Sequence, residues 1–88
     1  MSYIVESTET FDREFKKKHR DKKHYLENII SKLEKYPEKY GKPLRGRLHG
    51  IWQTRLGDNF RIWYEINDIE KRVTLKAVLH KDEAERKY

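Results

Sequence analysis

An α+β domain, with two helices laid on one face of an antiparallel sheet, is what the sequence predicts, and three patterns predict it. Two stretches between residues 8 and 36 repeat apolar residues at helical spacing. Three stretches between residues 52 and 80 alternate apolar and polar residues with period two. Turn-forming Gly, Asn and Asp separate those three stretches at 57–59 and 67–71. At 88 residues the chain is expected to form a single domain, 1–88, with little core to spare.

Tyr3 to Val5 are short and β-prone, and predict a first strand. Ser7 or Thr8 can cap a helix that runs to about His19, with Phe11 and Phe15 four apart on one face. Asp21 can cap a second helix, in which Leu26, Ile29, Ile30 and Leu33 follow the i, i+3, i+4, i+7 spacing. Pro37 ends that helix at or just before Tyr36, and the two helices are expected to form an antiparallel hairpin. Residues 37–50 hold both prolines and three of the four glycines and predict a loop, with a short extended piece at Leu44 to Leu48. A three-stranded meander follows. Trp52, Thr54 and Leu56 share a face, as do Phe60, Ile62, Tyr64 and Ile66, and then Val73, Leu75, Ala77 and Leu79. That apolar face packs on the helices, and the other, mostly polar face looks outward. Residues 81–88 predict a short C-terminal helical turn.

Composition narrows the class. Hydrophobic residues are only 35% and charged residues 41%, yet aromatics reach 12%, which favours a folded chain over a disordered one. With no cysteine, neither a disulfide nor a thiolate zinc site can support the fold. No apolar run approaches the ~18 residues of a membrane span, and the N-terminus lacks a signal-peptide core, so a soluble, cytoplasmic protein is expected. His19 and His24 lack metal-ligand spacing, so no metal site is expected.

The net charge of +6 is unevenly spread. Between residues 41 and 63, Lys42, Arg45, Arg47, Arg55 and Arg61 face the single acid Asp58. Four of these five are arginines, whose planar fork suits phosphate. Register sharpens this: with a turn at 57–59, Arg55 lies opposite Arg61 and on the same side of the hairpin. Like charges placed directly opposite destabilise a sheet, so the pair needs an acidic partner or an anion. Glu65 shares that face and is one partner available. His80, on the returning strand, is expected to join the face near Arg61. Trp63, on the same face, either stacks a base or covers the sheet edge. His49 sits in a glycine-flanked loop beside the arginines, where it touches RNA or is merely solvated.

Leu44-Arg45-Gly46, Gly50, Trp52, Arg55, Gly57, Arg61-Ile62, Tyr64 and Ile66 together resemble the core pattern of RelE/ParE-superfamily toxins. Val73 to Lys81 resembles their last strand, which ends in His-Arg. The order strand, helix, helix, three strands is similar to that RelE-like fold along nearly the whole chain. The resemblance implies the toxin of a type II toxin–antitoxin pair: an mRNA interferase of the RelE/YoeB-like branch that cleaves mRNA in the ribosomal A site. It implies no metal or other cofactor, and as partners the ribosome, mRNA and a small acidic antitoxin. In that mechanism a base removes the ribose 2′-proton, cations stabilise the charge on the attacked phosphate, and an acid protonates the leaving 5′-oxygen. The resemblance assigns Arg61 to the transition-state charge and Arg55 to a supporting cation. Arg45, with Arg47 beside it, holds RNA backbone. His80 and Lys81 match the His-Arg end of the last strand, with His80 the first choice for the base and Glu65 the second. Tyr88 matches a C-terminal tyrosine that orients substrate. The chain departs from the pattern at Gln53, where one branch has a lysine, at Lys42-Pro43, where another has a glutamate nearby, and in the placing of Tyr88 eight residues beyond His80. A gyrase inhibitor or an inactive RNA-binding relative is the alternative within the same fold.

Overall fold

In the computed structural model, which describes residues 2–87, the chain opens with β1 (Ile4–Ser7) and turns at Thr8 into α1 (Glu9–Lys18). Thr8 is in extended geometry and its Oγ1 accepts the Phe11 amide at 3.1 Å, so the threonine rather than Ser7 caps the helix. A 3₁₀ turn at Arg20–Lys22 reverses the chain into α2 (Lys23–Lys35). Asp21 does not cap α2: it lies inside the turn, and its carboxylate meets Lys22 Nζ at 3.2 Å. Tyr36 closes α2, directly before Pro37, as expected.

The remainder is β2 (Lys42–Pro43), β3 (Trp52–Leu56), β4 (Phe60–Asn67), β5 (Arg72–His80) and α3 (Lys81–Lys87). The expected meander β3-β4-β5 is the centre of a larger, five-stranded mixed sheet with order β1-β5-β4-β3-β2. β1 runs parallel to β5, and β2 adds at the opposite edge through Lys42↔Gln53 and Pro43↔Trp52. A proline is tolerated there because an edge strand need not donate on both sides. The extended piece expected at Leu44 to Leu48 is instead a 3₁₀ turn at Gly46–Leu48.

Both helices press their apolar faces onto one side of the sheet. Phe11 from α1 and Ile29 and Leu33 from α2 bury against Leu56, Ile62, Tyr64, Val73 and Leu75. Truncating a fully buried residue such as Leu33 would cost about 2–5 kcal/mol. The Tyr64 hydroxyl donates to the Pro37 carbonyl at 2.6 Å, and burial pushes its phenol pKa up, so it stays a neutral donor. This bond ties the loop after α2 to the middle of the sheet. Gly41 is needed beside it, because a Cβ there would overlap the Tyr64 hydroxyl and meet the Gln53 carbonyl at 2.9 Å.

A β-bulge alters the expected alternation. Trp63 pairs with Ala77 but Tyr64 pairs with Leu75, which leaves Lys76 as an extra residue on β5. Val73 and Leu75 therefore face the helices as expected, whereas Ala77 and Leu79 turn to the other face. There they form a second small core with Leu44, Trp63 and Ala84, under the 44–51 loop and α3. The face expected to be open and polar is thus partly roofed.

Candidate nucleic-acid interface

The β3–β4 hairpin sets the centre of the site. Gly57 adopts φ 66° in its turn, a left-handed conformation that favours glycine, and the hairpin pairs Leu56 with Phe60 and Arg55 with Arg61. The two arginines are therefore cross-strand neighbours, as the turn position predicts. Arg61 folds its guanidinium back on the turn, donating from Nη1 to the carbonyls of Phe60 at 2.9 Å and Asp58 at 3.3 Å. Arg55 is exposed. Neither forms an ion pair among the described residues. Glu65, the carboxylate available on that face, is taken by Lys76 at 3.3 Å.

Two adjoining clefts open around Arg61 and share Lys42, Gln53 and Arg61 in their walls. The larger, about 530 Å³, lies along the edge of β3 where β2 has ended, and α2 forms its far wall. Its charged lining is Lys32, Lys39, Lys42, Arg55 and Arg61, with no acid among the described residues. The smaller, about 290 Å³, adds Lys81 and Glu85 from α3. Lys81 reaches this place because its amide bonds the Asn59 carbonyl at 2.8 Å, which starts α3 beside the β3–β4 turn. Six cations thus converge on one open surface, and none of them has a carboxylate within 4 Å among the described residues. In water such a surface attracts a polyanion, and the field between unneutralised charges strengthens that attraction.

The structure brings Arg55, Arg61 and Lys81 together and leaves other candidates apart. His80 sits opposite Phe60, not on the arginine face, because the bulge at Lys76 inverts the last four residues of β5. Its ring meets Phe60 edge-on at 5.4 Å and its Nδ1 accepts the Asp82 amide at 3.2 Å. It lines a groove on the helix side of the sheet, with His19, Glu14 and Glu83. Trp63 is also corrected. Only 8% of it is exposed, beneath Leu44 and Ala84, and its indole N–H donates to Gln53 Oε1 at 2.8 Å, so its face is not free to stack a base. Arg45, Arg47 and His49 are exposed on the loop that roofs Trp63, and none of them lines either cleft. Tyr88 lies outside the described residues.

Sequence reasoning missed Lys32, Lys39 and Glu85 as members of the site and counted Lys42 only as charge. For Lys42 a signal was present, since it adjoins a proline and a glycine at the rim of the basic segment. Lys32 and Lys39 reach the cleft only through the packing of α2 on the sheet. Among the described residues no cluster of three metal-binding side chains occurs, and no helix is long and apolar enough to cross a membrane.

No protein-family model and no curated relative matches the sequence. Solved structures do match. The toxin–antitoxin complex RelBE2 from Mycobacterium tuberculosis contains a chain 28% identical to this one, with a TM-score of 0.73, matched over 91% of this chain and 99% of that chain. A mutant of the Escherichia coli toxin RelE in its free state superimposes with a TM-score of 0.77 at 20% identity, covering 97% of this chain and 90% of that one. The archaeal RelE–RelB complex from Pyrococcus horikoshii gives 0.71 at 20% identity, over 92% and 97%. The five-stranded mixed sheet with two helices on one face is the RelE-like fold of these neighbours, and over nearly its whole length the chain is similar to the toxins of the RelE/ParE superfamily.

Proposed function

We propose that this protein acts on RNA as a ribosome-dependent mRNA endonuclease, entering the A site in the cytoplasm and halting translation until an acidic antitoxin covers the same surface. The observation that carries this reading is the set of six cations, Arg61 among them, that line the two clefts with no paired carboxylate among the described residues. Arg61 and Arg55 would hold the scissile phosphate and stabilise the charge that builds on it, with Lys42 and Lys81 flanking. Attack by the neighbouring 2′-oxygen forms a bond to phosphorus, breaks the bond to the 5′-oxygen, and moves one proton off the nucleophile and one onto the leaving group. Glu85 is the carboxylate at this cleft among its described lining residues, and we assign it the proton-accepting role that the resemblance gave to His80. Antitoxin association would be fast, because opposite charge steers the encounter.

One observation favours a second reading. His80 lies across the sheet and Glu65 is paired with Lys76, so the cleft holds phosphate-binding groups in excess of proton-transfer groups. A toxin of the same fold that binds without cutting, such as a gyrase inhibitor or an inactive RNA-binding relative, needs no proton-transfer groups. Primer extension on mRNA after induction separates the two. New cuts in the A-site register that vanish in Arg61→Ala support the nuclease. Intact transcripts with relaxed plasmid and DNA damage identify the gyrase inhibitor and refute it.

A further inference from the structure

Tyr40 in the wall of the larger cleft, and Tyr36 beside it, are two features that phosphate binding does not use. Tyr36 and Tyr40 are 54% and 39% exposed, although large aromatic rings ordinarily gain from burial. Their ring centroids are 6.3 Å apart at 54°. Lysines crowd them: Lys32 Nζ is 5.4 Å from the Tyr40 ring centre, and Lys39 Nζ is 5.3 Å from that of Tyr36 and 5.6 Å from that of Tyr40. Tyr40, Lys32 and Lys39 line the same cleft as Arg55 and Arg61.

The segment that presents these rings is held at several points. The Pro37 carbonyl accepts the Tyr64 hydroxyl, the Tyr40 carbonyl accepts Thr54 Oγ1 at 2.7 Å, and the Tyr40 amide bonds back to the Tyr36 carbonyl at 3.3 Å. Gly41 fixes the following step by close approach to Tyr64. The rings are therefore displayed from an anchored turn, at a low ordering cost to any ligand. Flat aromatic faces, ammonium groups and an adjoining guanidinium pair are the components of a single-stranded nucleic-acid platform, in which bases stack and phosphates pair with cations.

We propose that Tyr36 and Tyr40, with Lys32 and Lys39, form a stacking platform for unpaired bases of the RNA strand whose phosphates lie at Arg55 and Arg61. The inference rests on the RNA reading of the cleft. It directs the strand out of the cleft along the β3 edge and over the C-terminal end of α2. A base entering the platform displaces a lysine from a ring, and the freed ammonium turns to the adjacent phosphate. An acidic protein segment would use the lysines alike but has no need of the ring faces.

Fluorescence anisotropy with a single-stranded RNA of about ten nucleotides, and with an abasic backbone of the same length, tests it. The Tyr36→Ala/Tyr40→Ala double variant is expected to bind the base-bearing RNA about tenfold more weakly and the abasic strand as wild type does. Tyr36→Phe/Tyr40→Phe, which keeps the ring faces, is expected to bind both as wild type does, and an unchanged melting temperature shows that the variants fold. An equal loss on the abasic strand overturns the platform, as does no loss at all while Arg55→Ala still weakens binding. If Arg55→Ala is also without effect, the RNA reading of the cleft fails and takes the platform with it. Tyrosine-dependent binding of a polyglutamate peptide without tyrosine-dependent RNA binding gives the surface to an acidic protein and refutes the proposal.

Discussion

Replacing Arg55 with alanine removes one of six converging cations without disturbing a packed side chain, so it separates binding from folding. Arg55 is exposed, has no ion pair among the described residues, and stands opposite another arginine. A like-charged cross-strand pair costs roughly 0.2–1 kcal/mol, so its removal should leave the melting temperature unchanged or slightly raised. Binding should respond in the opposite sense. If each cation around the cleft meets one phosphate of a single strand, the slope of log K against log salt is about −0.7 per contact, hence about −4 for all six. Arg55→Ala should bring the slope to about −3.5 and, near 0.1 M salt, weaken binding about fivefold. Anisotropy of a short labelled RNA, titrated across a range of salt, reads both quantities. An unchanged slope refutes the placement of phosphate at Arg55. A fall of several degrees in melting temperature would show that the arginine has a structural partner and refute the account of an unneutralised pair.

Three further outcomes follow from the packing. Gly41→Ala should cost about 1–3 kcal/mol, because its Cβ overlaps the Tyr64 hydroxyl and crowds the Gln53 carbonyl; a variant as stable as wild type in urea denaturation would refute the close approach. Gln53→Leu should cost about 1–3 kcal/mol by leaving the buried Trp63 indole N–H without an acceptor, and a shift in tryptophan fluorescence should accompany it; unchanged urea stability would break the assignment. His19 is 5% exposed, its Nδ1 has no hydrogen-bond partner among the described residues, and burial followed by nearby Lys22 lowers its pKa. The unfolded chain then binds the proton first as pH falls through the ordinary histidine value. Stability should therefore be fully present above that value and decline below it, toward the depressed folded value. Melting temperatures between pH 7 and pH 5 should show the decline in wild type and a flatter profile in His19→Phe, and parallel profiles would refute it.

The legible parts of this protein were those decided by neighbours in sequence. Thr8 caps α1 because its acceptor and the Phe11 amide are three residues apart, and Arg55 faces Arg61 because a three-residue turn fixes the register. The parts that were missed depend on distant packing or on one inserted residue. Period-two alternation places His80 with Arg61, but the extra Lys76 reverses everything after it, and nothing local in Leu75 to Ala77 announces a bulge. Trp63 occupies the arginine face as alternation demands, yet Leu44 and Ala84, far from it in sequence, cover that part of the face. Lys32 and Lys39 look like ordinary solvated lysines until the end of α2 and its following turn are set beside β3. Glu85 looks like dilution of a basic tail until α3 docks by the hairpin turn.

Titration of ¹⁵N-labelled protein with a short single-stranded RNA tests most directly whether the cationic surface at the β3 edge is where RNA binds. The account predicts amide shifts concentrated at Lys42, residues 53–55, Arg61 and Lys81, with small changes around His80 on the opposite side of the sheet. Shifts centred on the groove of His19 and His80, or none at all at low salt, would contradict it.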